Sequence, residues 1–114
     1  MQLINLTPHK VVICEDIGNH TVEPSGKVAR VTIRRTKFSN VWVGSPHEDE
    51  FPVSVYKTEA GTVEGLPASN AGTFYIVSSM VRLALPDRKD LLSLGELVRN
   101  AEGQPIGCRG LDMN

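Results

Sequence analysis

The chain has 114 residues, of which 40% are apolar and 22% are charged, a balance typical of a folded globular domain. This length fits a single domain over residues 1–114 and is too short for two domains. Twelve Lys and Arg against thirteen Asp and Glu leave a formal net charge of -1. This charge argues against a protein that coats duplex nucleic acid, because such binding needs a net basic field.

The N-terminal residues and the two cysteines indicate the compartment. Residues 1–5 show neither the basic segment nor the apolar stretch of a signal peptide. No apolar run approaches the roughly 20 residues of a membrane span. We therefore expect a cytoplasmic protein without a membrane partner. Cys14 and Cys108 are expected to be free thiols in a reducing cytosol, and a disulfide between them is the alternative.

Segments of β-branched residues alternate with turn residues through the first third of the chain, which predicts short strands. The clearest is 27–35, in which Val31 and Ile33 share one face while Arg30 and Arg34 share the other. Two earlier strands flank a turn that contains Gly and Asn, a pattern that predicts a hairpin. In chain order the predicted strands are residues 3–6, 10–14, 20–22 and 27–35.

The middle of the chain predicts two further strands and several loops. An acidic run at 48–50 lies in a segment with Gly and Pro, which indicates an exposed loop. Turn-forming residues follow the second of these strands. The predicted elements are a strand at 41–43, the acidic loop at 44–50, a strand at 52–58, a turn at 59–62 and a loop at 66–72.

The last third begins with the apolar and aromatic run 73–77, which predicts a buried central strand. Ser78 or Ser79 is placed to cap the N-terminus of a helix, and Pro86 ends that helix. The remaining predicted elements are a second short helix over 88–92 and a terminal hairpin of residues 96–99 and 104–111. We therefore predict a single α+β domain with a mainly antiparallel sheet and one or two short helices.

Local spacing predicts neither a metal site nor a cofactor site. His9, His20 and His47 are widely separated, and CxxC, HxH, HExxH and phosphate-binding glycine motifs are absent from the sequence. Two residues offer catalytic chemistry: Cys108 as a nucleophile, its thiol pKa lowered by the neighbouring Arg109, and His9 as a base. The alternatives are that Cys108 is a small core residue and that His9 only caps backbone groups in a turn.

The arginines point to a different chemistry. Guanidinium groups match phosphate oxygens bidentately, and aromatic rings stack on nucleobases. The alternative is that the arginines pair with the thirteen carboxylates at the surface and that the aromatic rings pack in the core. The residues alone leave both interpretations open. The candidates are Arg30, Arg34, Arg99 and Arg109, with Phe74 and Tyr75 as the rings.

Short motifs span nearly the whole chain: NLTPH at 5–9, PSG at 24–26, ARV at 29–31, GLP at 65–67, GTFYIVS at 72–78, PDRKD at 86–90 and GCRGL at 107–111. In these motifs the chain resembles a family of small proteins found in bacteriophages, prophages and bacterial genomes. Small phage proteins of this type include immune-evasion sponges such as the Thoeris anti-defence proteins. Those sponges bind cyclic ADP-ribose-type signals, and some bind cyclic oligonucleotides. They are oligomeric, do not cleave the ligand, and surround it with arginine and aromatic side chains.

We therefore hypothesise a phage-encoded sponge that sequesters a nucleotide-derived second messenger at an oligomer interface, without enzymatic activity and without a cofactor. The four arginines would bind phosphates, Phe74 or Tyr75 would stack on a base, and Asn5 or His9 would donate or accept hydrogen bonds. One alternative is a small hydrolase or transferase that uses His9 and Cys108. Another is a structural phage protein whose sheet makes only protein contacts.

Overall fold

The computed structural model describes residues 1–45 and 47–114. In this part the chain forms eight strands and one short helix, so the protein is mostly β with little helix. Pro46, which falls in the predicted acidic loop, lies outside the described residues. The elements are β1 (Gln2–Asn5), β2 (Val11–Glu15), β3 (Gly18–Val22), β4 (Arg30–Val43), β5 (Phe51–Glu64), β6 (Thr73–Ile76), α1 (Ser79–Ala84), β7 (Leu91–Arg99) and β8 (Pro105–Met113).

The chain divides into two compact units. We call residues Met1–Val31 and Val63–Asn114 the sheet unit, and Thr32–Thr62 the hairpin unit. The hairpin unit is an insertion in the sequence of the sheet unit, because residues of the sheet unit both precede it and follow it.

The sheet unit contains a six-stranded sheet in the order β1-β6-β7-β8-β2-β3. The antiparallel pairs β2–β3 and β7–β8 confirm the two hairpins predicted from the sequence. The other three pairs, β1–β6, β6–β7 and β2–β8, are parallel. The sheet is therefore mixed, which corrects the prediction of a mainly antiparallel one. Parallel neighbours are joined by long connections, so no turn between them signals the pairing.

The two ends of this sheet are joined to each other. Asn5 at the end of β1 forms a bridge with Pro24, which follows β3. The backbone N–H of Ser25 also donates to the carbonyl of Asn5 at 3.0 Å. The end of the first strand therefore meets the segment that follows the last strand, and at this point the edge of the sheet is not open to pairing with another chain.

Strand β6 separates two apolar clusters, as expected for a central strand that is buried on both faces. Tyr75 lies on one face and Ile76 on the other, because successive side chains alternate across a strand. The first cluster contains Leu6, Ala29, Tyr75, Val77, Val81 and Leu91. The second contains Val11, Ile13, Ile76 and Cys108. The predicted central strand at 73–77 is confirmed.

The helix α1 begins and ends at the predicted residues. The Ser78 hydroxyl accepts a hydrogen bond from the N–H of Val81 at 3.2 Å, which is the N-cap interaction. At the other end Leu85 is the C-cap, directly before Pro86. The side-chain amide of Asn114 donates to the carbonyl oxygens of Arg82 and Leu85 at 3.0 Å. These two oxygens also accept from the backbone N–H groups of Leu85 and Arg88, so the end of the helix is well supplied with donors.

Two predicted elements are wrong. Residues 88–92 do not form a second helix, since Leu91 and Leu92 begin strand β7 and pair with β6. Leu91 is fully buried in the first cluster, and this burial outweighs its local helix propensity. Nor does the chain turn at 59–62, because β5 continues through these residues to Glu64. Gly61 lies against the backbone of Thr32 across the strand pair, so its lack of a side chain serves close pairing.

Gly95 allows β7 and β8 to approach closely. A Cβ atom at this position would overlap the carbonyl oxygen of Arg109 and come within 2.8 Å of that of Gly110. We expect Gly95→Ala to lower the free energy of unfolding by about 2–3 kcal/mol, because backbone atoms have to move. Urea denaturation measures this loss.

Gly103→Ala is the matched control, since a Cβ there meets no atom within 4 Å. Its positive φ of 79° still carries a strain of about 1 kcal/mol for a residue with a side chain. Equal losses in the two variants would contradict the steric interpretation of Gly95.

Candidate functional site

A cleft of about 440 Å³ opens in the sheet unit between the segment before β2, the start of α1 and strand β7. We call it the His9 cleft. Its apolar wall is formed by Val11, Val77, Leu94 and Leu97. Its polar border carries a cation, an imidazole and several hydroxyl groups, supplied by Thr7, His9, Lys10, Ser78, Ser79 and Ser93. This combination of an apolar wall with a few polar groups is typical of small-molecule sites.

The side chain of Asn5 fixes the segment that carries His9 and Lys10. Its Nδ2 donates to the carbonyl oxygens of His9 at 2.8 Å and Val22 at 3.1 Å. Its Oδ1 accepts from the backbone N–H of Thr7 at 2.9 Å and from the Thr7 hydroxyl at 2.6 Å. Asn5 is 1% exposed, so these bonds are formed away from solvent. The border of the cleft is therefore held by a saturated, buried amide.

The opposite border of the cleft is held by the helix. Ser78 is occupied as the N-cap of α1. Ser93 is buried, and its hydroxyl oxygen accepts a hydrogen bond from Nε of Arg82 at 2.8 Å. Arg82 in turn donates to the side chain of Asn114 at 3.1 Å. These bonds connect the wall of the cleft to the C-terminal residue.

The charge of the His9 cleft favours an anion. Lys10 is a cation at its border, and among the described residues that line it there is no aspartate or glutamate. A ligand phosphate would therefore meet an ammonium group and hydroxyl donors without repulsion from a lining carboxylate.

A smaller cleft of about 250 Å³ shares Lys10, Val11, Leu94 and Leu97 with the His9 cleft and reaches Cys108. Cys108 is 1% exposed, and its Sγ lies 3.6 Å from the carbonyl oxygen of Val12. Burial raises the pKa of the Cys108 thiol, which is the reverse of the lowering expected from Arg109. The neutral thiol is a poor nucleophile. Cys108 acts as a core residue, and both cysteines are free thiols.

A third cleft of about 610 Å³ lies between the loops that precede β6 and β7. Phe74 lines it, together with Arg88 and Asp90. Arg88 donates to both carboxylate oxygens of Asp90 at 2.8 Å and also to the carbonyl of Pro67 at 3.1 Å. This guanidinium is therefore engaged in holding the loops together.

Within the sheet unit, the predicted ligand residues do not line a common cleft. His9 lines its cleft, Asn5 supports it, Phe74 lines the third cleft, and Tyr75 is a core residue with 4% exposure. Of the arginines, Arg30 is exposed at the start of β4, and Arg34 belongs to the hairpin unit. Arg99 donates to the carbonyl of Gly103 at 2.8 Å, and Arg109 is exposed opposite Glu96. In the described part of the chain, none of these four arginines lines the three clefts.

Sequence patterns missed most of the cleft's border. Lys10 was interpreted as the first residue of a strand and Ser78 as a helix cap, and the latter assignment is confirmed. Thr7 belongs to the NLTPH motif but offered no separate signal. Residues 7–10 lie between two apolar strands and include the polar side chains of Thr7, His9 and Lys10. This segment is the one local feature that indicates the polar border of a cleft.

No family model, no curated protein and no solved structure matches the chain. The resemblance to small phage proteins therefore stays a prediction. Within residues 1–45 and 47–114, no helix has the length and apolar character needed to cross a membrane. Over the same residues, no three His, Cys, Asp or Glu side chains are grouped as metal ligands would be.

Asn5→Ala tests whether this amide supports the fold. The substitution leaves buried backbone groups without partners, each at about 1–3 kcal/mol, so we expect the free energy of unfolding to fall by about 3 kcal/mol. Chemical denaturation measures this. Asn19→Ala, at an exposed position of β3, is the control and should stay within about 0.5 kcal/mol of the parent. Similar small changes in both variants would exclude a structural role for Asn5.

Asp90 makes stability depend on pH. The hydrogen bond from Arg88 holds the pKa of the Asp90 carboxyl below its ordinary value. At pH values between that lowered pKa and the ordinary aspartate pKa of about 3.9, the Asp90 carboxyl binds more protons in the unfolded chain than in the folded one. Stability from this pair is therefore present above about pH 4 and is lost as the pH falls through the folded pKa.

We expect Asp90→Asn to lower the melting temperature at pH 7 and to lower it less as the pH falls below about 4. Asp87→Asn, at an exposed neighbouring position, is the control and should leave the melting temperature nearly unchanged at both pH values. A loss in Asp90→Asn that is the same at pH 7 and pH 3 would contradict this account.

Proposed function

We propose that the protein is a non-catalytic binding protein that holds a small nucleotide-derived ligand in the His9 cleft. The observation that carries the proposal is the cleft itself, which combines an apolar wall with a border of one cation, one imidazole and hydroxyl groups. On this view the protein is a phage-encoded sponge in the bacterial cytoplasm. It sequesters an immune second messenger of the cyclic ADP-ribose or cyclic oligonucleotide class.

The chemistry of the cleft matches the parts of such a ligand. Its volume of about 440 Å³ lies within the roughly 300–1,000 Å³ of ordinary small-molecule pockets. The side chains of Leu94 and Leu97, each 42% exposed, offer an apolar surface to a nucleobase. The ammonium group of Lys10 and the hydroxyl of Thr7 suit phosphate and ribose oxygens.

Two features support binding without cleavage. Attack on a phosphate or glycosidic bond needs an activated nucleophile or a positioned base. The Cys108 thiol is buried, and its pKa is raised. The His9 cleft also lacks a lining carboxylate among its described residues, so no acidic partner orients the imidazole of His9 there. These features favour a sponge over the alternative of a hydrolase that uses His9 and Cys108.

Isothermal titration with ADP-ribose, cyclic ADP-ribose and a panel of cyclic di- and trinucleotides tests the proposal. At least one of these should bind and should be recovered chemically intact by chromatography after incubation. Lys10→Ala should weaken that binding by about 1.5–3 kcal/mol, roughly 10- to 150-fold, as expected for a hydrogen bond to a charged group. Lys27→Ala is the matched control, because Lys27 is an exposed lysine outside the cleft lining.

Arg109→Ala distinguishes a ligand site in the His9 cleft from a ligand site formed by the predicted arginines. Arg109 is exposed on β8 and does not line the cleft, so this variant should keep the parent's affinity. If Arg109→Ala weakens binding and Lys10→Ala does not, the ligand lies at the arginines. If no compound of the panel binds, or if the bound compound is recovered cleaved, the proposed function is wrong.

A further inference from the structure

The hairpin unit exposes large apolar side chains. Phe38 is 63% exposed, Trp42 61% and Phe51 56%. Among the described residues, neither of the two apolar clusters contains a residue from Thr32–Thr62. A two-stranded hairpin is marginally stable in water by itself, and contiguous exposed apolar side chains commonly mark an interaction surface.

These side chains lie on one face of the hairpin. Side chains alternate across a strand, so Phe38 shares its face of β4 with Trp42, and Lys57 shares its face of β5 with Phe51, Val53 and Val55. Nζ of Lys57 lies 4.3 Å from the centre of the Phe38 ring, which places both sets on the same side of the sheet. We call Phe38, Trp42, Phe51, Val53 and Val55 the apolar face.

The other face carries charged and polar side chains among smaller apolar ones. The guanidinium of Arg35 stacks on the Tyr56 ring at 3.7 Å, and both residues alternate with the members of the apolar face. Lys37 and Ser39 share this side of β4 with Arg35. This side also carries Ile33, Val41 and Val43, which are 37–48% exposed, whereas the larger rings of Phe38, Trp42 and Phe51 are 56–63% exposed on the apolar face. The two faces therefore differ in the size and exposure of their apolar side chains.

Charge is separated along the length of the hairpin. The strand halves next to Thr32 and Thr62 carry Arg34, Arg35, Lys37 and Lys57 against Glu59, which is four positive charges and one negative. The loop end carries Glu48, Asp49 and Glu50, which is three negative charges. A hairpin with this pattern is complementary to its own copy in the antiparallel orientation. The acidic end of each copy then faces the basic half of the other, whereas a parallel arrangement would put like charges together.

The exposed aromatic side chains supply a large part of the area that a stable dimer requires. Aromatic side chains expose roughly 150–250 Å² each when fully accessible. Three of them at 56–63% exposure on each of two copies therefore bring roughly 500–900 Å² together before valines and polar groups are counted. A standard interface buries roughly 1,200–2,000 Å² in total, so these rings supply about a quarter to three quarters of that area.

We propose that the hairpin unit is a dimerisation element, which binds the hairpin unit of a second copy of this chain. The two hairpins pack with their apolar faces together and antiparallel about a two-fold axis. Such an interface is isologous, so each copy contributes the same acidic loop and the same basic strands. This proposal does not rest on the nucleotide ligand, and it locates in the hairpin unit the self-association that the sequence predicts.

The single tryptophan of the chain, Trp42, reports directly on this interface. In ligand-free protein, sedimentation velocity should give a dimer at about 50 µM, a concentration above ordinary oligomer dissociation constants. Dilution should shift the Trp42 emission to longer wavelengths as the ring becomes exposed to water. The double variant Phe38→Ser/Phe51→Ser should be monomeric and should show the long-wavelength emission at every concentration. Val41→Ser, a single substitution on the other face, should remain dimeric.

Charge reversal tests the antiparallel arrangement without replacing any of the five residues of the apolar face. Arg34→Glu/Lys37→Glu and Glu48→Lys/Asp49→Lys should each raise the dimer dissociation constant at least about tenfold, and mixing the two variants should restore a heterodimer. A monomeric parent at about 50 µM would overturn the proposal. So would a dimer that both charge variants form as tightly as the parent, or a mixture that fails to associate. Because these substitutions lie at exposed positions, the outcome does not depend on whether the Phe38→Ser/Phe51→Ser variant folds.

Discussion

The buried amide of Asn5 joins three parts of the sheet unit that are separate in sequence: the end of β1, the segment before β2 and the end of β3. Each of its polar atoms has a partner, with Nδ2 bonded to two carbonyl oxygens and Oδ1 to two donors of Thr7. The backbone of Asn5 pairs with Ile76 on one side and bridges to Pro24 on the other. The meeting of the end of β1 with the segment that follows β3 depends on this residue.

This constraint also determines where a ligand site can form. The Thr7–Lys10 segment cannot relax into the adjoining space, because two of its residues are bonded to Asn5. The start of α1 is fixed independently by its Ser78 cap and by the bonds from Arg82 to Ser93 and Asn114. The His9 cleft lies between these two fixed segments, so little conformational entropy is lost when a ligand orders them further.

The two units carry different kinds of surface. The sheet unit buries its apolar residues on both faces of β6, and its open cleft has a polar border. The hairpin unit exposes Phe38, Trp42 and Phe51 on one face and separates its charges along its length. A cleft suits a small molecule, whereas an extended ribbon with exposed aromatic side chains suits another polypeptide. Ligand binding and self-association are therefore proposed for different parts of the chain and can be tested separately.

The features that depend only on residues close together in the chain could be predicted from the sequence by itself. Ser78 caps α1 and Pro86 follows its end because capping and the missing proline N–H act within one turn. The β2–β3 and β7–β8 hairpins are recognisable because a short turn and two alternating strands lie together in the chain. The strand at β6 is recognisable because burial on both faces requires a continuous apolar run.

Only the tertiary structure decided the pairings and the site. The parallel pairs β1–β6, β6–β7 and β2–β8 join distant segments, and Leu91–Leu92 became a strand through contact with β6 rather than through local preference. Of the predicted ligand residues, His9 and Phe74 line clefts, and the sequence had no means to place Tyr75 in the core or to show that the four arginines lie outside the lining of the three clefts. The spacing of residues along a chain indicates which face of a strand each residue occupies. It does not indicate which strands become neighbours in the sheet. The pairing of distant strands is what brings Lys10, Ser78 and Leu94 to a single cleft.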